Sequence, residues 1–267
     1  MHMKRLVFIF SLFLLIGLYG CSYSVPEDDS LRLSEEEEKI FVEEIATEKE
    51  EEEFSTKKTY VRSKVDSLSV RTAPNTSSKK LGYLDAGDMV ALYGREEEWY
   101  KTYYRGREAY ISAKSVYTET VDMDVADERT ETVIALGEKL LGTPYVYGAT
   151  RLHDGYGNMI KGFTVNEFDC SSYMQYIFYY GADIILHSTT RTQVSQGTEV
   201  ERGNIKRGDL IFMTNSSRKN NTGIERIGHV ALYLGDNYIL HTASDHAVIE
   251  QMTDGRWENY ITARRMI

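Results

Sequence analysis

Cys170, His229 and His241 are the residues of this chain whose types and placement could do chemistry together. Cys170 follows Phe168-Asp169 and precedes a segment in which Tyr173, Tyr176, Ile177 and Tyr180 recur at i, i+3, i+4 and i+7. That spacing predicts a helix that buries one face, with Gly181 placed to close it and Cys170 in its first turn. Unpaired backbone N–H groups and the positive end of the helix dipole favour a thiolate there. Free cysteine has a pKa of about 8.5, which falls to roughly 3.5–7.5 at such sites. The other cysteine, Cys21, lies in an N-terminal segment expected to be processed, so Cys170 has no internal disulfide partner.

A nucleophilic thiol needs a base within reach and a third group that orients the base. Of the six histidines, His2 lies near the N-terminus, and His153, His187 and His246 stand in polar, turn-like settings. His229 and His241 instead fall in the apolar runs GHVALYL and YILHTAS, which flank Gly235-Asp236-Asn237, a hairpin signal. With Gly235 to Asn237 as a three-residue loop, Leu234 faces Tyr238, and period-two alternation makes the two histidines diagonal neighbours on one face. A two-residue loop without a bulge would send them to opposite faces.

The rest of the chain must position these groups. Its 267 residues allow one to three domains, and 42% hydrophobic residues suffice for a core in each. The net charge of −10 argues against a nucleic-acid partner, and nearly all of it sits in Glu35 to Glu53, which holds eleven Glu and two Lys. Such a run is a solvated, self-repelling spacer. Residues 21–57 are therefore expected to reach on the order of 100 Å when extended, at about 3.3 Å per residue. No metal or cofactor is called for: Asp122, Asp124 and Asp127 lack the glycine turn and closing Glu of a calcium loop.

Basic Lys4-Arg5, the apolar run Leu6 to Leu18 and Leu18-Tyr19-Gly20-Cys21 resemble a bacterial lipoprotein signal peptide over residues 1–20. The resemblance implies lipidation at Cys21, an extracytoplasmic location and a membrane partner through the lipid. Residues 58–118 are short Val-, Leu-, Tyr- and Thr-rich runs divided by turn signals, the pattern of a small all-β barrel. Leu68-Ser69-Val70-Arg71, Gly82, Gly87, Trp99-Tyr100-Lys101 and Ala109-Tyr110-Ile111 make this stretch similar to a bacterial SH3-like (SH3b) domain. The side chains of Trp99, Tyr100, Tyr103 and Tyr110 are expected in its core rather than on a ligand platform. Residues 119–127 read as a linker, after which Asp127 or Thr130 caps a helix that Gly142 ends. One leading helical region followed by an antiparallel sheet makes residues 128–267 an α+β domain.

GTPYVYG, FDCSSYMQYIF, RGDLIFM, IGHVALYLG and YILHTAS, in that order, resemble the NlpC-type, papain-like cell-wall endopeptidases. The resemblance implies Cys170 as nucleophile, His229 as general base and His241 as its orienting residue. It also implies substrate or oxyanion contacts from Tyr145, Asp169, Ser171 and Arg191. The implied reaction is hydrolysis of a peptidoglycan stem peptide between γ-D-glutamate and the following diamino acid. The alternatives are a papain-like amidase or acyltransferase on wall or lipid substrates, and a wall-binding lipoprotein without activity. Ser172, in a place commonly held by Gly, and the long stretches Ala149 to Glu167 and Thr214 to Ile227 depart from the family pattern.

Overall fold

The structure, a computed structural model, describes residues 33–37, 39–40, 56–243 and 245–267. The expected signal peptide and Cys21 lie outside the described residues. Among the described residues, a few helical ones at 35–37 and 39–40 precede eight strands: β1 (Lys57–Ser63), β2 (Leu68–Arg71), β3 (Lys80–Leu84), β4 (Met89–Ala91), β5 (Gly94–Glu96), β6 (Trp99–Tyr104), β7 (Arg107–Ser112) and β8 (Thr118–Asp124). Helices α1 (Glu128–Lys139) and α2 (Cys170–Ala182) and the short α3 (Thr190–Gln193) precede β9 (Thr198–Val200) and β10 (Leu210–Met213). The hairpin strands β11 (His229–Gly235) and β12 (Tyr238–Ala243) lead to β13 (His246–Gln251), a short α4 (Asp254–Glu258) and β14 (Tyr260–Arg265). No helix among the described residues is long and apolar enough to cross a membrane.

The strands form two sheets that do not divide where the two compositional blocks meet. A five-stranded sheet, β3-β2-β7-β6-β5, holds most of the SH3-like barrel. The other three barrel strands belong to a nine-stranded sheet, β8-β1-β4-β13-β12-β11-β10-β14-β9, which they share with the α+β half. The junction is the antiparallel pair Met89 and Ile249, both fully buried.

Three sequence expectations are corrected here. Glu119 to Asp124, expected within the linker, belong to strand β8, which pairs along its whole length with β1 from Lys57↔Asp124 to Ser63↔Thr118. It is a polar edge strand held by its backbone ladder, so the hydrophobic alternation that marks other strands is missing. Gly181 does not close α2: the helix runs to Ala182, and Asp183 caps it at φ 52°. A Cβ at Gly181 would lie 2.7 Å from Val133 Cα, so this glycine serves close packing of α2 on α1. Residues 21–57 are not spacer throughout. Lys57 opens β1, and Leu33 is buried beside Gly106 while its backbone exchanges hydrogen bonds with the Asn166 side chain at 2.8 and 3.2 Å.

A buried polar chain fastens the barrel to α1. Glu138, 1% exposed, accepts from Lys58 Nζ and from the Tyr60 hydroxyl, each at 2.5 Å. Arg207 Nη2 donates to the Tyr60 oxygen at 2.8 Å and pairs with Glu131 through two further bonds at 2.6 and 2.7 Å. Burial, and then the Glu138 charge, push the Tyr60 hydroxyl up so that it stays a donor.

Candidate active site

Cys170 is the first residue of α2, and the local chemistry explains why the helix begins there. Asp169 is the N-cap, its Oδ1 accepting the N–H groups of Ser171 and Ser172 at 3.1 and 2.8 Å. The Ser172 hydroxyl accepts the Asp169 N–H at 2.9 Å and completes a capping box. Serine in place of the commoner glycine therefore has a structural use. Behind the cap, Tyr173 donates to Gly137 O at 2.6 Å, and Phe168, Tyr173 and Tyr176 pack in one aromatic cluster. These contacts leave the start of α2 a single position.

The hairpin brings the histidines to that position. Its loop is two residues, Asp236 and Asn237, both at positive φ, with Gly235 paired to Tyr238. A bulge at Leu234 then restores the pairs Tyr233↔Ile239 and Leu232↔Leu240. The loop is one residue shorter than expected, but the bulge leaves the strand register as predicted, with both rings on one face. His229 Nε2 and His241 Nδ1 are 2.7 Å apart. His241 is fully buried, whereas His229 is partly exposed. Gly228, the residue before His229, lines the same cleft as Cys170, and the backbone N–H groups of Val230, Ser171 and Cys170 itself favour the thiolate.

The series extends one residue further than the sequence indicated. His241 Nε2 lies 2.7 Å from Glu250 Oε1 on β13, and Arg256 on α4 contacts the same carboxylate oxygen. The pairs His241↔Val248 and Ile239↔Glu250 make Glu250 a diagonal neighbour of His241. The alternation of β13 could have found it, had the turn joining β12 to β13 been legible. Burial alone would raise the Glu250 carboxyl, but the His241 hydrogen bond and charge and the Arg256 guanidinium hold it below the usual range.

Burial also decides the resting protonation of the other groups. It pushes the Cys170 thiol up to about 12, with the Asp169 charge adding to the rise and the three backbone N–H groups opposing it. Burial lowers His229 well below the ordinary histidine value, with further lowering from the neighbouring His241 and Arg256. It lowers His241 too, against the hydrogen bond to Glu250. The helix N-terminus, expected to favour a thiolate, is thus outweighed: thiol and imidazole rest neutral.

A cleft of about 370 Å³ opens over Cys170. Tyr145, Asp169, Ser171 and Arg191, all expected near substrate, line it. Burial, then the nearby Cys170 and Asp169, raise the Tyr145 hydroxyl, which stays protonated. Asp169 is already engaged by this chain on both oxygens, at Oδ1 by the helix cap and at Oδ2 by Arg151 Nη2 at 2.9 Å. Arg151, from the long Ala149 to Glu167 stretch, had no sequence signal, since neither periodicity nor spacing marks it. Asn215, Ser217 and Arg218 bring the second long loop to the opposite wall. Glu225 joins the walls, pairing with Arg191 at 3.5 Å and Arg218 at 3.1 Å.

An SH3-like barrel fused to an α+β domain with a cysteine at a helix N-terminus and histidines on the facing sheet is a papain-like architecture. Residues 142–266 match the NlpC/P60 family model and residues 66–117 the bacterial SH3 domain model. The chain therefore carries an NlpC/P60 domain behind a bacterial SH3 domain. It is 27% identical over 180 residues to a Gamma-DL-glutamyl hydrolase of Bacillus subtilis, covering 67% of this chain and 36% of the relative. It is 28% identical over 147 residues to a Gamma-D-glutamyl-L-lysine dipeptidyl-peptidase of Bacillus cereus, covering 54% and 38%. A probable NlpC homologue of Haemophilus influenzae is 31% identical over 134 residues, 49% of this chain and 64% of that one. The chain thus spans between a third and two fifths of the first two relatives. Among solved structures, an NlpC/P60 family protein from Bacillus cereus aligns over 78% of this chain and 63% of its own, at 21% identity and TM-score 0.42.

Proposed function

We propose that this protein is a cysteine endopeptidase that cleaves peptidoglycan stem peptides, at the bond between γ-D-glutamate and the following diamino acid. The observation that carries the proposal is the 2.7 Å contact between His229 and His241 at the start of β11, where the neighbouring Gly228 lines the same cleft as Cys170. Nucleophile, base and orienting group then stand in one series. The names of the two Bacillus relatives, both specifying γ-glutamyl bonds, support the choice of bond.

With thiol and imidazole neutral at rest, attack and proton transfer go together. The Cys170 proton passes to His229 Nδ1 as the sulfur bonds to the scissile carbonyl carbon. The Cys170 N–H and the protonated Tyr145 hydroxyl are the donors offered to the resulting oxyanion. His229, now an imidazolium, gives its proton to the leaving amine as the C–N bond breaks, and a thioester remains. Water, deprotonated by His229, attacks the thioester, releases the peptide carboxylate and restores the thiol. Asp169, Ser171 and Arg191 contribute to the substrate-binding walls.

This chemistry places the protein outside the cytoplasm, where its substrate is. Lys4-Arg5, the apolar run and Cys21 support a lipid anchor at Cys21, with the acidic stretch beyond it as tether. Mass spectrometry of products from defined stem peptides tests the proposal. The wild type is expected to release fragments cut after γ-D-glutamate, and Cys170→Ala to release none. Liberation of the intact stem from the sugar would instead identify an amidase, and equal cleavage by Cys170→Ala would overturn the nucleophile assignment.

A further inference from the structure

We infer that Glu250 is a positioning residue for the reaction, acting through His241 on the tautomer of His229; the inference rests on the function proposed above. Which nitrogen of an imidazole carries the proton is set by the partner of the other nitrogen. The Glu250 carboxylate can only accept, so at 2.7 Å it requires His241 to carry its proton on Nε2. His241 Nδ1 is then an acceptor, and the His229 Nε2 that faces it at 2.7 Å must donate. His229 is left with an unprotonated Nδ1, the one ring nitrogen free to take the Cys170 proton. A carboxylate two hydrogen bonds away thus decides which nitrogen is the base.

The surroundings of Glu250 keep it in this role. Arg256 contacts the same oxygen that faces His241. The charged and titratable groups around it are His241 on β12, Arg256 on α4 and, from the barrel, Asp88 just before β4, with His246 on its own strand. Arg256 offsets the nearby acid, so the carboxylate remains ionised while His241 stays fully buried. When His229 becomes an imidazolium, the same carboxylate supplies the countercharge through His241, as carboxylates hydrogen-bonded to metal-ligating histidines raise the basicity of those rings.

Glu250→Gln and Glu250→Ala, compared with the wild type in the full chain, test the inference by kinetics and by ¹⁵N NMR of the histidine rings. An amide can present either an acceptor or a donor to His241, so Glu250→Gln is expected to mix the tautomers of both histidines. Glu250→Ala is expected to lower kcat on the order of 10–100-fold, the range seen when an outer partner of a functional histidine is lost. KM should change less than twofold, and the acidic limb of the pH profile, set by protonation of His229, should move to lower pH because the imidazolium has lost its countercharge. Wild-type rings with His241 protonated at Nε2 and His229 unprotonated at Nδ1 support the inference even if the assayed peptide is not cleaved; that second result would sink only the proposed substrate. The inference is overturned if the wild-type rings carry the opposite tautomers. It is equally overturned if both variants keep the wild-type tautomers, kcat and pH profile.

Discussion

Removing the Glu138 carboxylate should loosen the barrel from α1 and destabilise the whole molecule. In Glu138→Ala the Tyr60 hydroxyl keeps its bond from Arg207, but Lys58 loses the anion it faces at 2.5 Å. Breaking a buried pair by deleting one partner costs roughly 3–5 kcal/mol. The Lys58 side chain is 21% exposed and can turn partly to water, so the low end, about 3 kcal/mol, applies. At an m value of roughly 2–3 kcal/mol/M the urea midpoint should fall by about 1 M. The two tryptophans provide the assay: Trp99 sits in the barrel and Trp257 in the α+β half, so single-tryptophan variants report each separately. In the wild type both should unfold at one midpoint, because β1, β4 and β13 share one sheet. In Glu138→Ala the Trp99 transition should move first or furthest. Replacing Lys58 and Glu138 together by apolar residues should recover most of the loss. A Glu138→Ala midpoint within 0.2 M of wild type, or separate wild-type transitions for the two tryptophans, would refute the reasoning.

Two further outcomes follow from the protonation of buried groups. With the Cys170 thiol raised to about 12, iodoacetamide labelling of the free enzyme should climb about tenfold per pH unit from pH 7 to 9; a plateau reached below pH 7 would show a preformed thiolate instead. Asp88 is raised from 3.8 to about 6, chiefly by burial, so the folded state holds a proton that the unfolded chain releases. Stability then falls as pH rises from about 4 to 6, and the full penalty stands above 6. Asp88→Asn keeps the acceptor for the Asp85 N–H and should stabilise the protein at pH 7 by about 1–2 kcal/mol, a shift of two units discounted for partial exposure. Thermal unfolding at pH 4 and pH 7 checks this, since the gain must vanish at the lower pH.

The series Cys170, His229 and His241 was legible as far as short-range patterns reach. The 3.6-residue recurrence after Cys170 located α2, and alternation on either side of Gly235-Asp236-Asn237 aligned the histidines, because both signals come from burying one face. The bulge at Leu234 was not legible, but it compensates for the shorter loop and so preserved the outcome. Glu250 and Arg151 escaped notice because their importance is purely tertiary: each is an ordinary charged residue until the chain brings it to His241 or Asp169. Strand β8 was hidden by its edge position, where only Thr118 and Met123 are buried. Gly181 misled because a glycine near a helix end usually marks a cap, whereas here it admits the backbone of a neighbouring helix. The shared sheet was invisible, since its junction is one residue pair from segments 160 residues apart.

That junction also determines how the molecule would carry a mechanical load. Force entering through the N-terminal side of β1 and opposed at the α+β half would pass along strands bonded on both edges, β1 lying between β8 and β4. Pulled lengthwise, such ladders resist in shear, their hydrogen bonds stretched together rather than opened one by one. The single pair Met89–Ile249 is the narrow point of the path, and the chain Glu131–Arg207–Tyr60–Glu138–Lys58 runs beside it as a second strut. A molecule built this way keeps its cleft aligned with its barrel while under tension.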